Sequence, residues 1–111
     1  MKVWKKLAKV KRFTLEEFDM PEIWVEIIPM TAYPQRVIEE YLEKETGIFE
    51  LCITQWNFAD PDSNEILPLP RDNPDIMKDI PTILMAWVAN KIKEENDASL
   101  PPSLMSGLTT S

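Results

Sequence analysis

The chain has 111 residues, 44% of apolar type and 28% charged, the balance of an ordinary soluble domain and enough chain for one core rather than two. It holds no histidine, one cysteine and two glycines. That removes the commonest general base and metal ligand, the usual zinc sites, a disulfide framework and any glycine-rich phosphate loop.

The formal charge of −7 is unevenly spread. Residues 1–12 carry Lys2, Lys5, Lys6, Lys9, Lys11 and Arg12 without an acid, so all the acidic side chains lie in residues 13–111. This division predicts a basic arm on an acidic body. The field of the body repels polyanions, so nucleic acid is not expected as the main partner. The arm has no apolar stretch behind it to act as a signal core, and no run is long enough to span a bilayer. A cytoplasmic protein without membrane contact is expected, and the lone Cys52 agrees with a reducing compartment. A chain this short that leaves an apolar face for a partner keeps little stability in reserve, so partner binding or homo-oligomerisation would bear on folding itself.

In chain order, Ile23-Trp24-Val25-Glu26-Ile27-Ile28 lies between Pro21 and Pro29 and is rich in β-branched and aromatic residues, which predicts a strand. Its expected partner lies within residues 7–15, joined by an acidic connection. From Pro34 the period changes. Val37, Ile38, Tyr41 and Leu42 form one stripe of a helix, with Thr31 as a candidate cap, Pro34 in the first turn and Gly47 placed to end it. Ile48 to Trp56 fits either a helix, through Phe49, Cys52, Ile53 and Trp56, or a buried strand; helix is the preferred reading. Asn57 to Asn73 is turn chemistry. Ile76, Ile80, Ile83, Leu84, Trp87, Val88 and Ile92 then form the stripe of a long amphipathic helix that Pro81 could divide in two. Residues 96–111 read as a flexible tail.

Candidate chemistry is thin. Asp60-Pro61-Asp62-Ser63-Asn64 imitates the start of a calcium loop, but Glu65 and Arg71 stand where the turn glycine and the bidentate glutamate would be needed, so a hydrated acidic turn is the better reading. Cys52 reads as a small buried hydrophobe. The neighbours Glu16-Glu17 and Glu39-Glu40 do not face each other and read as solvated surface. Glu26 reads as a charge pointing outward from a half-buried strand. No catalytic residue, metal ligand or cofactor is expected. Four tryptophans and six methionines are generous for a core this small. Trp24, Met30, Tyr33, Met77 and Trp87 are therefore the candidate partner-binding residues, since such side chains anchor interfaces.

Trp24-Val25-Glu26-Ile27-Ile28-Pro29-Met30-Thr31 followed by a helix, then a helix ending in Trp56-Asn57-Phe58, an acidic turn into Ile66-Leu67-Pro68-Leu69-Pro70 and a helix opening with Ile80-Pro81 resembles small tail assembly chaperones of long-tailed bacteriophages. The resemblance covers roughly residues 20–95 and rests on the order of these segments. It implies a mainly helical domain, sometimes preceded by a hairpin, that coats the tape-measure protein until tail tube subunits replace it and is absent from the finished virion. That family usually carries a glycine where Ser63-Asn64 stands here, and asparagine tolerates the left-handed backbone nearly as well. The carboxyl end also resembles the family, where a ribosomal frameshift can attach an extension.

The expectation is thus a mainly α protein: a basic arm at 1–12, a single helical domain with an N-terminal β-hairpin at 13–95, and a flexible tail at 96–111. Its expected function is to bind and solubilise a phage tape-measure protein without catalysis, in the cytoplasm of an infected cell. The alternative is a nucleic-acid-associated accessory protein that uses the arm.

Overall fold

The computed structural model describes residues 9–99. Its centre is a three-stranded antiparallel sheet in the order β1-β2-β3, formed by Lys11–Leu15, Met20–Ile27 and Ile53–Trp56. Three α-helices accompany it: α1 at Gln35–Leu42, α2 at Gly47–Cys52 and α3 at Thr82–Ser99. The domain is therefore α+β, and the expectation of a mainly α fold is corrected.

The hairpin forms where the strand chemistry placed it. Arg12 pairs with Glu26, Phe13 with Val25 and Thr14 with Trp24, and the register shifts after Thr14. The connection is a 3₁₀ turn over Glu16–Phe18 closed by Asp19 at φ 59°, a left-handed position that a short aspartate tolerates. Alternation then sorts β2: Val25 and Ile27 are fully buried, while Trp24 and Glu26 are only partly covered.

Because β2 is the central strand, its second edge also needs a partner, and Ile53–Trp56 supplies it. The run from Ile48 to Trp56 is thus neither one helix nor one strand. It is helical through Cys52, then turns extended at Ile53, and the Cys52 carbonyl accepts the Ile28 amide at 2.9 Å. Unpaired backbone groups on a buried strand cost more than the helical turns given up here. The preference for helix across the whole run is corrected on that ground.

The helix predicted from Pro34 forms, but it stops at Leu42 rather than reaching Gly47. Gly47 opens α2 instead, and its Cα lies so close to the Tyr41 carbonyl that a Cβ would overlap the oxygen.

In the loop that follows, Asn57 accepts the Trp24 amide at 2.7 Å through Oδ1 and donates to the Glu22 carbonyl at 2.8 Å, pinning the loop to β2. Ala59 bridges to Ile66, and between them Asp60 Oδ1 accepts the amides of Asp62 and Ser63 at 2.7 and 3.2 Å. Asn64 takes the left-handed conformation at φ 61°.

Pro74–Lys78 forms a separate 3₁₀ helix, and α3 begins only after Pro81. The proline therefore does divide the long stripe. Helix α3 runs alongside β1 in the opposite direction: Lys91 lies 5.6 Å from the Phe13 ring, and Lys11 reaches Glu95 at 3.5 Å. Val88 and Ile92 complete a core with Leu15, Val25, Ile27, Leu51 and Ile53.

Two boundaries of the sequence reading move. Lys11 and Arg12, counted with the arm, are strand residues, and residues 96–99, counted with the tail, belong to α3. Residues 1–8 of the arm and 100–111 of the tail lie outside the described residues.

Candidate protein-contact surface

Where the hairpin turn meets the start of α3, six side chains enclose an open apolar groove of about 130 Å³: Leu15, Phe18 and Met20 from the hairpin, and Pro81, Ile83 and Leu84 from the helix. Leu15 is fully buried, whereas Met20 is 40% and Ile83 69% exposed. Phe18 packs edge-on against Trp87 behind the groove, with ring centroids 6.3 Å apart.

Local sequence builds this arrangement. The bulge after Thr14 and the left-handed Asp19 turn the chain so that Leu15 and Met20 face each other across the hairpin. Pro81 restarts the helix, and Ile83 stands exposed in its first turn, at the end of the stripe that Trp87, Val88 and Ile92 continue into the core.

Exposed acids flank the lining residues along the chain. Glu16 and Glu17 lie between Leu15 and Phe18, Asp19 precedes Met20, Glu22 follows it closely, and Asp79 precedes Pro81; all five are exposed. Glu17 contacts Lys91 at 3.9 Å, and Lys78 nearby pairs with Asp75 at 3.5 Å. Glu16, Asp19, Glu22 and Asp79 have no ion pair among the described residues.

The five candidate contact residues fall elsewhere. Tyr33, Met77 and Trp87 are core residues, 6%, 3% and 8% exposed, and have almost no surface to offer. The indole N–H of Trp87 has no hydrogen-bond partner among the described residues. Met30 is half-buried, with its amide donating to Asn96 Oδ1 at 2.6 Å. Trp24 is half-buried on the opposite face of the sheet, with the Arg12 guanidinium stacked 3.9 Å from its ring centroid. Arg12 also pairs with Glu26 at 3.4 Å. Two cations of the sequence-predicted arm, Lys11 and Arg12, are therefore engaged within the fold.

Sequence reasoning missed Met20 and Ile83 as surface residues. No sequence signal set Ile83 apart, since it shares one face of α3 with Trp87, four residues further along the same helix. It also missed a buried polar cluster. Glu50, 3% exposed, accepts the Thr46 hydroxyl at 3.1 Å and faces Lys44 Nζ at 3.7 Å. Arg71 donates to the carbonyls of Glu50 and Leu51 at 3.2 and 3.3 Å, satisfying groups that the end of α2 leaves open. Cys52 is fully buried, and burial pushes its thiol up to about 12, so no thiolate forms near neutral pH.

Among the described residues no three acidic or cysteine side chains converge as metal ligands, and no helix is long and apolar enough to cross a membrane. Compared with protein-family models, curated proteins and solved structures, the chain matches none.

Proposed function

We propose that this protein is a non-enzymatic tail assembly chaperone of a long-tailed bacteriophage, holding the apolar stripe of a tape-measure protein until tail tube subunits displace it. The observation that carries the reading is the open groove with Met20 and Ile83 at its lip. Exposed apolar side chains gathered in one concave place, with acids close by in the chain, are the form of a protein-contact site. An amphipathic client helix would lay apolar residues into the groove, and the net negative charge would keep the complex soluble. On this reading the contact residues are Met20 and Ile83, with Phe18 and Leu84 as walls. The protein acts in the cytoplasm of the infected cell and leaves before the particle is complete.

The test is co-expression with the cognate tape-measure protein, the chain carrying either Ile83 or Ile83→Asp. The native chain is expected to keep the client soluble and co-purify with it, and the substituted chain to lose it. An insoluble client beside the native chain, or a protein retained in purified virions, overturns the reading.

A further inference from the structure

The groove has a candidate occupant in the chain itself. Residues 1–8 hold Lys2, Lys5 and Lys6 with no acid, interleaved with the apolar Val3, Trp4 and Leu7. This is the chemistry that an apolar slot with Glu16, Asp19, Glu22 and Asp79 flanking its lining residues along the chain selects: apolar side chains to fill it and cations to meet those acids. A groove of about 130 Å³ is near the size that takes up benzene, and its open side leaves room for the larger indole of Trp4, the one aromatic side chain in residues 1–8.

Direction decides which copy supplies the segment. Leu15, at the end of β1, lines the groove, while Lys11, at its start, sits beside Glu95 far along α3. The chain preceding β1 therefore departs from the end opposite the groove, roughly 13 Å away along the strand. Returning to its own groove would require a reversal near Lys9-Val10, yet residues 1–12 contain no glycine, proline, asparagine or aspartate to favour a tight turn. Trp4 stands seven residues before Lys11, and that span extended reaches up to about 23–25 Å, enough to cross to a neighbour.

We propose that residues 1–8 of each chain dock in the groove of a second copy, Trp4 filling the cavity, so that two reciprocal contacts make a two-fold dimer. Such an exchange is self-complementary, the usual form of a closed homodimer. It covers Met20 and Ile83 while no client is present. The contact needs no client, so its failure would leave the chaperone reading standing, and the reverse holds as well.

Sedimentation of the full chain tests it. The native protein is expected to sediment as a dimer, and the Trp4→Ala and Ile83→Asp chains as monomers at the same concentration, with unchanged circular dichroism. Mixing the two variants restores one contact of the two, because one chain keeps its groove and the other its arm, and a heterodimer is expected. A labelled peptide of residues 1–10 should bind the Trp4→Ala chain at least about tenfold more tightly than a chain carrying both substitutions, a difference of about 1.4 kcal/mol. Its binding should weaken as salt rises from about 50 to about 500 mM, as exposed charge pairs do. A native monomer, a dimer that survives Trp4→Ala, or peptide binding indifferent to Ile83→Asp would each overturn the proposal.

Discussion

Arg71 donates through Nη2 to the hydroxyl of Tyr33 at 3.0 Å. The same guanidinium holds the carbonyls of Glu50 and Leu51. One side chain from the long loop thus fastens the segment before α1 to the end of α2. Its planar fork presents several donors at once, which a lysine cannot reproduce.

Arg71→Ala should therefore destabilise the domain by about 1–3 kcal/mol, toward the lower part of that range because the residue is exposed on its outer side. Arg71→Lys should recover less than half of the loss. Urea denaturation measures both, and equal stability of the alanine variant and the native chain would show that the clamp contributes nothing.

High pH should weaken the fold through Tyr33 and Cys52. Burial raises Tyr33 above its ordinary value of 10.0, with Arg71 opposing the shift, and pushes Cys52 from 9.0 up to about 12. Both groups resist ionising in the folded chain but ionise readily in the unfolded one. Their contribution is complete below about pH 9, where the unfolded thiol begins to titrate, and is lost as pH rises through the folded values. Each group contributes a slope of at most about 1.4 kcal/mol per pH unit. Denaturation midpoints measured from pH 7 to 10.5 should fall above pH 9, and less steeply for Cys52→Ala. A flat profile would contradict the burial of both groups.

Gly47→Ala should cost at least about 2 kcal/mol. The added methyl group would meet the backbone carbonyl of Tyr41, which has no rotamer through which to yield. Thermal melting checks this; a neutral substitution would mean that α1 and α2 do not approach at this point.

Asn96 accepts the Met30 amide and hydrogen-bonds Cys52, tying α3 to the segment after β2. Asn96→Ala leaves that amide without its acceptor and should cost about 1–2 kcal/mol. Asp97→Ala, at an exposed neighbour, should stay within about 0.5 kcal/mol. Equal effects at the two positions would remove the anchoring role of Asn96.

Ile83→Asp should leave stability within about 0.5 kcal/mol, as exposed substitutions do, because Ile83 is 69% exposed. Leu15→Asp, which places a charge in a fully buried position of the same groove, should unfold the domain. Matched urea curves for the two variants check the contrast, and a large loss in Ile83→Asp would make that residue part of the core.

Much of the local structure was legible without coordinates. An apolar β-branched run located β2 and its hairpin, although the strand starts at Met20 and takes in Pro21 rather than stopping at it, clustered turn residues defined the loop from Asn57, Pro81 divided the last helical stripe, and Asn64 took the left-handed backbone. These features follow from restrictions that act within a few residues. The groove was less legible: Ile83 belonged to the stripe, but its exposure depended on how far the hairpin reaches along α3.

Tertiary structure alone decided the rest. A nine-residue apolar run satisfies helical and extended patterns alike, and only the open edge of β2 drew Ile53–Trp56 into the sheet. Aromatic and methionine side chains serve a core and an interface equally well, so Tyr33, Met77 and Trp87 were sorted by the packing of distant segments. Gly47 and Asn96 followed the same rule, one placed by an approach to Tyr41 and the other by the amide of Met30. Periodicity states that a face will be covered; which residues cover it, and where cover ends, is settled only when segments far apart in the chain meet.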